Sequence, residues 1–196
     1  WNWESFPQYL DVLEQRRFDV DIGTQVPHAA LRVYVMGQRG ADREAASAQD
    51  RADMARLAAD AVQAGAVGFS TSRLLQHRTA AGEPVPPYGA AEDELTEIAL
   101  AVAAVGRGWL QVVAAFGHSQ EAEFAMWRRL VQRSGLPLTM TLLQRDAWPN
   151  EWQQLLDRIV DANAEGLHIT GQTRGRPTST LLGFELSENP FLGCPS

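Results

Sequence analysis

Residues 50–71, DRADMARLAADAVQAGAVGFST, decide how the rest of the chain reads. From Asp50 through Gln63, the residues Met54, Leu57, Ala58, Ala61 and Val62 recur three and four positions apart. That spacing lines apolar side chains along one face of a helix. Gly65 stands where such a helix stops, because glycine takes the cap conformation without a steric cost. Ala66-Val67-Gly68-Phe69-Ser70-Thr71 follows at once as a short apolar run and reads as a buried strand. Helix, glycine and buried strand together form the repeating piece of an α/β fold.

Working outward, the same piece recurs. Glu92 to Val105 is a helix with an acidic first turn and Gly106 behind it, and Trp109 to Phe116 is the next strand. Ser119 to Ser134 is a helix capped by Ser119, followed by the strand Leu138 to Leu143. Pro149 to Ala164 is a helix ended by Gly166, followed by the strand Leu167 to Gln172. Towards the N-terminus, Ser5 caps a helix with Pro7 in its first turn. Phe18 to Val26 reads as a strand by the alternation of Val20, Ile22 and Thr24, and Leu31 to Met36 as its continuation or a short helix. Between Ser72 and Ala91 lies a loop with Pro84, Pro86 and Pro87. It exceeds the roughly 12–15 residues beyond which a structureless connection is usually functional or disordered.

Five strands alternating with helices demand a parallel sheet with right-handed crossovers. Two architectures satisfy that pattern. A doubly wound five-stranded sheet would be complete in 196 residues, whereas an eight-stranded barrel of about 250 residues would be cut short. Periodicity alone leaves both open.

Composition narrows the function. The formal net charge is −7, no lysine occurs, and the arginines are interspersed with acids, so no nucleic-acid partner is expected. Without lysine this segment can supply neither a Schiff base, nor a P-loop lysine, nor a carbamylated lysine bridge between metals. No apolar run approaches the roughly 20 residues of a bilayer span, and no signal peptide is visible. The single cysteine, Cys194, rules out an internal disulfide, and a cytoplasmic location is expected. The chain opens on Trp1-Asn2-Trp3 without an initiator Met and closes abruptly on Gly193-Cys194-Pro195-Ser196. Residues 1–196 are therefore expected to be the central part of a single domain truncated at both ends.

In either parallel architecture, ligands bind beyond the carboxyl ends of the strands. Five patches qualify: Pro27-His28, Ser70 to Arg73, Phe116-Gly117-His118, Gln144-Arg145-Asp146 and Gln172-Thr173-Arg174. Dinucleotide, P-loop, nucleophile-elbow and C-x-x-C motifs are absent. No two of the histidines at 28, 77, 118 and 168 have the spacing of helical zinc ligands. His168 lies at the amino end of its strand and reads as structural. His28 and His77 are better placed to exchange a proton near neutral pH. Arg32, Arg73 and Arg78 near them could hold a carboxylate by paired hydrogen bonds.

Several ordered stretches carry a resemblance: Trp3-Glu4-Ser5-Phe6-Pro7, Val26 to Gly37, Gly65 to Arg73, His77-Arg78 and Gly82-Glu83-Pro84-Val85-Pro86. With them the chain resembles the N-acyl-D-amino-acid deacylase (D-aminoacylase-like) branch of the amidohydrolases. The resemblance implies an α/β fold in which this chain is a partial TIM-like (β/α) barrel of about five βα units. It also implies hydrolysis of the amide of an N-acyl-(D-)amino acid by water activated on a divalent metal, commonly zinc. The ligands of that metal would lie outside this segment, and the segment alone would be inactive.

The branch also places ligand histidines at the ends of two mid-barrel strands. Here the corresponding stretches, Gln111 to Phe116 and Thr139 to Gln144, carry no histidine, and His118 falls too late. No residue of this chain is therefore assigned as a metal ligand. The resemblance does place His28, Ser70, Ser72, Arg73, His77 and Arg78 along a substrate cleft, with an arginine pairing the carboxylate of a small acylated amino acid. Two alternatives remain: a related cyclic-amide hydrolase, and a metal-free barrel descendant binding a small carboxylate. A complete flavodoxin-like module fits less well, because Val26 to Ala30 lacks a phosphate loop's glycines and hydroxyls. An open arc of strands would leave two unpaired edges, so a homo-oligomer is expected of the isolated chain.

Overall fold

Side-chain caps open two of the described helices. The computed structural model describes residues 2–115, 120–145, 148–176 and 183. Helix α1, Phe6–Glu14, starts at Ser5, whose Oγ accepts from the Gln8 N–H while Gln8 Oε1 accepts from the Ser5 N–H. The same reciprocal box, Ser47 with Asp50, opens helix α4, Ala48–Ala64. Asp50 also accepts from Arg39 at 2.9 Å, and Arg39 followed by Ser47 holds its carboxyl at about 2. Helix α4 stops at Gly65 with φ of 133°, a conformation that side chains disfavour.

Strand β1 is Val26–Pro27, followed by α2, His28–Met36, and the short α3, Gln38–Ala41. After α4 come β2, Gly68–Ser72; α5, Glu92–Ala104; and β3, Trp109–Val113. The chain continues through α6, Gln120–Ser134; β4, Leu138–Thr141; α7, Glu151–Ala164; and β5, Ile169–Gln172.

Among the described residues all four strand pairings are parallel, and the order in space is the order in sequence, β1-β2-β3-β4-β5. A doubly wound sheet reverses its strand order at a switch point, and this sheet does not. It is wound in one direction, as in a (β/α) barrel. The two architectures left open by periodicity are separated by topology.

The strands alternate between two faces. Phe69 and Thr71, Leu110 and Val112, Leu138 and Met140, and Ile169 are buried against the helices. There they meet Met54, Ala58 and Val62 of α4, Leu95, Ile98 and Val102 of α5, Trp127 and Leu130 of α6, and Leu155 and Ile159 of α7. The intervening residues Ser70, Ser72, Gln111, Thr139, Thr141, Thr170 and Gln172 occupy the other face. Gln111 Nε2 reaches Gln172 Oε1 at 3.3 Å across β4, as side chains on a shared face can. At the start of β2, a Cβ on Gly68 would lie 2.9 Å from the Trp109 nitrogen, so β3 passes too close for any other residue.

The expected strand Phe18 to Val26 is corrected: only Val26–Pro27 pairs, with Phe69 and Ser70. Phe18, Val20 and Ile22 are 45%, 70% and 50% exposed, so their alternation has no surface to pack on. The run from Leu31 belongs to a helix that begins at His28, immediately after the strand. Strand β3 ends at Val113 and β4 at Thr141, both shorter than expected. His168 is exposed just before β5, where its carbonyl accepts from the Leu138 N–H. His118, Asp146 and Cys194 lie outside the described residues.

The long loop after β2 is not structureless. Arg78 and Pro84 form an antiparallel bridge, Thr79 N–H donates to Glu83 O, and Val85 N–H donates to His77 O. Arg43 fastens the hairpin from outside through Pro84 O at 3.0 Å and the Glu83 carboxylate at 3.1 Å.

Candidate functional site at the carboxyl end of the sheet

Two polar clusters meet at the carboxyl end of β2, one behind the sheet and one in front. The strand pleat separates them: Thr71 points to the helices, while Ser70 and Ser72 point away.

Behind the sheet, His28 is 1% exposed and stacks at an angle near Phe69. Its Nδ1 lies 2.8 Å from Thr71 Oγ1 and its Nε2 lies 2.7 Å from Glu94 Oε1. Arg32, one turn further along α2, donates to both oxygens of Glu94 at 2.6 and 2.5 Å and to Glu44 O at 2.5 Å. Burial is the largest influence on His28 and lowers its pKa, keeping the ring neutral. Burial alone would raise the Glu94 carboxyl, but its bonds to His28 and Arg32 outweigh that and hold it below the usual range. An ionised Glu94 only accepts, so His28 carries its proton on Nε2 and Nδ1 accepts from the Thr71 hydroxyl.

His28, expected along a substrate cleft, is instead enclosed with both ring nitrogens engaged. Sequence reasoning missed Thr71 and Glu94 as its partners, and Glu94 and Glu44 as those of Arg32. The available signal was the four-residue spacing of His28 and Arg32, which puts both on one helix face.

In front of the sheet, Ser72 Oγ lies 2.7 Å from His77 Nδ1, and Ser72 also accepts from the Leu74 N–H at 3.4 Å. Ser72 is half-buried and His77 exposed. Ser70 Oγ is 3.5 Å from Val26 O. Arg78 is exposed and donates to Gly82 O at 2.9 Å, within its own hairpin. Arg73 turns away: its Nε lies 2.6 Å from Glu123 Oε1 on α6, and its Nη1 donates to Ala90 O at 2.6 Å. Glu123 also accepts from Trp127 Nε1 at 3.1 Å. The guanidinium of Arg73 thus ties both ends of the loop to the helix layer. At the end of β4, Arg145 lies 4.4 Å from the ring centroid of Trp148.

Of the six expected site residues, the structure brings Ser72 and His77 together. Ser70 lies one pleat away on the same face, and Arg78 follows His77 in the loop. His28 and Arg73 support the loop from behind.

A metal centre would need several imidazole, thiolate or carboxylate donors converging on one point. Among the described residues no group of three or more such side chains does so. The open face of the described strands offers hydroxyl and amide side chains, which do not fit a tightly held divalent metal. No helix among the described residues is long and apolar enough to cross a membrane.

A singly wound parallel arc with its polar groups at the strand carboxyl ends defines a (β/α)-barrel segment. A model of the amidohydrolase family matches residues 1–191, and the chain belongs to that family. It is 37% identical over 99 residues to the N-acyl-D-glutamate deacylase of Alcaligenes xylosoxydans xylosoxydans, covering 50% of this chain and 18% of that protein.

Among solved structures, D-aminoacylase superposes with a TM-score of 0.71 at 23% identity, over 85% of this chain and 33% of that one. The N-acyl-D-glutamate deacylase of Bordetella bronchiseptica, solved with zinc and a phosphonate mimic of the tetrahedral intermediate, gives 0.68 at 22% identity over the same shares. The chain therefore spans about a third of the solved relatives, and the five-stranded sheet is an arc of a TIM-like barrel.

Proposed function

We propose that this chain forms part of the barrel of an enzyme that hydrolyses the amide bond of a small N-acylated amino acid. N-acyl-D-glutamate is the first substrate to try, because it names the 37%-identical relative. The observation that carries the reading is the Ser72–His77 pair, on an open face whose described strands bear no carboxylate, at the end where such barrels bind ligands. Ser70, Ser72, His77 and Arg78 would face the ligand. Arg73 and His28 would hold the loop that presents them, by the Glu123 and Thr71 contacts described above.

A divalent metal, zinc foremost, would be held by ligands outside this chain. The donor set favours a second reading, a metal-free barrel descendant that binds a small carboxylate without turning it over. A cyclic-amide hydrolase would share the fold and differ in the loop. We further propose a cytoplasmic location and self-association through the open sheet edges.

The test is release of free amino acid from a panel of N-acetyl-D- and L-amino acids by the full chain as its gene encodes it. Turnover of an acyl amino acid supports the deacylase reading. Binding without turnover, at saturating zinc, manganese or cobalt, supports the metal-free one.

A further inference from the structure

We infer that His77 is a ligand-contacting residue that presents its Nε2–H to an anionic oxygen of the ligand, and that Ser72 is the positioning residue that fixes it in that state. Ser72 Oγ already accepts from the Leu74 N–H, and among the described residues its hydroxyl has one acceptor in reach, His77 Nδ1 at 2.7 Å. A neutral imidazole that accepts at Nδ1 carries its proton on Nε2. The backbone that carries the ring is anchored: His77 N–H donates to Leu74 O at 3.0 Å, and His77 O accepts from Val85 N–H at 3.2 Å. An exposed ring on an anchored backbone, with one nitrogen occupied, leaves the other as a directed donor.

The surroundings select the charge of the partner. The chain carries a formal net charge of −7, yet none of the five strands among the described residues contains an Asp or Glu. An anion approaching the open face meets hydroxyl and amide groups, with Arg78 next to His77 in the chain. A carboxylate is the natural acceptor for a lone N–H in that setting.

The local amides argue against the opposite assignment, with Ser72 as a nucleophile activated by His77. The Arg73 N–H is spent on Val113 O at 2.8 Å and the Leu74 N–H on Ser72 itself. Neither neighbouring amide is left to stabilise an oxyanion.

The identity of the anion as an acylated amino acid rests on the deacylase reading; its charge does not. The experiment separates the two. In the full chain, the His77 imidazole nitrogens are followed by 15N NMR while N-acetyl-D-glutamate, or its uncharged diamide, is added. Turnover of N-acyl amino acids is measured in parallel.

The expected result is an Nε2–H tautomer in the free protein and a shift on adding the acid but not the diamide. His77→Ala should weaken binding of the acid about tenfold, the value of one hydrogen bond to a charged group. His77→Gln, whose amide N–H can take the same place, should lose no more than about threefold. Ser72→Ala should alter the tautomer balance as well as the affinity, which loss of packing alone would not do.

A response to neither compound in an enzyme that turns over acyl amino acids overturns the role of His77 and leaves the deacylase reading standing. A response to the acid without turnover supports the anion site and contradicts the deacylase reading. Equal responses to acid and diamide overturn the anion assignment, and neither response nor turnover overturns both.

Discussion

The two histidine clusters on β2 are built from similar groups and differ in closure. Behind the strand, His28, Arg32, Glu94 and Thr71 form a buried chain whose charges and ring nitrogens are paired. In front, Ser72 and His77 pair with each other and leave one face of the ring exposed. Adjacent residues of one strand, Thr71 and Ser72, feed the two clusters. The same imidazole chemistry is thus structural where the helix layer encloses it and available to a ligand where the pleat turns it outward. That contrast assigns roles better than residue type does, and it can be broken at several points.

The largest effect is expected at Glu94. Glu94→Gln leaves the Arg32 charge buried without its counter-charge, and losing one partner of such a pair costs about 3–5 kcal/mol. Equilibrium denaturation should show a loss of that order. A loss under about 1 kcal/mol would mean that the network is solvated and the contrast is wrong.

Thr71→Val should cost less, about 1–3 kcal/mol, because it leaves His28 Nδ1 buried without a donor while keeping the side-chain shape. The measurement is the same unfolding midpoint.

The pH dependence of stability sharpens the comparison further. The pKa of His28 lies below its ordinary 6.5 in the folded chain, so on acidification the unfolded chain takes up that proton first. Stability should therefore fall as pH drops below about 6.5 towards the lower native value. The Glu94 pKa lies below its ordinary 4.5, so its contribution is present above that value and is lost as pH falls through the native one. Both slopes run the same way, downward into acid. His28→Asn should flatten the first of them in urea titrations at successive pH values, whereas His77→Ala should leave it in place.

The smallest effect is expected from His77→Ala on stability itself. An exposed ring makes few contacts that folding depends on, and the change should stay within about 0.5 kcal/mol. A loss comparable to that of Glu94→Gln would mean that His77 is part of the framework.

How much of this was legible in the sequence depended on how local each signal is. The helix read over Asp50 to Gln63, its glycine stop and the strand behind it are legible because stripe and stop lie within one stretch of chain; the structure extends the helix to Ala48–Ala64 and adds the Ser47 cap. The strand expected over Phe18 to Val26 was not borne out, because alternation predicts a strand only when a neighbour covers the apolar side. Strand order was invisible to periodicity and came from the pairings alone.

The candidate site divides in the same way. Ser72 and His77 are five residues apart and could be singled out as a loop pair, although their hydrogen bond depends on how that loop folds. His28 and Glu94 are 66 residues apart, so their contact required the tertiary fold. From sequence Arg73 reads as a carboxylate binder because its charge is evident and its partner on α6 is not. Its capture by Glu123 is what turns a candidate ligand into a loop anchor.

The most direct test of the division between a closed and an open histidine is the reactivity of each ring in the native protein. Diethyl pyrocarbonate modification, read by peptide mass spectrometry, reports both residues in one sample. His77 should be carbethoxylated readily, and His28 should react only after the protein is unfolded. Modification of His28 in the folded protein at a rate comparable to His77 would contradict the account.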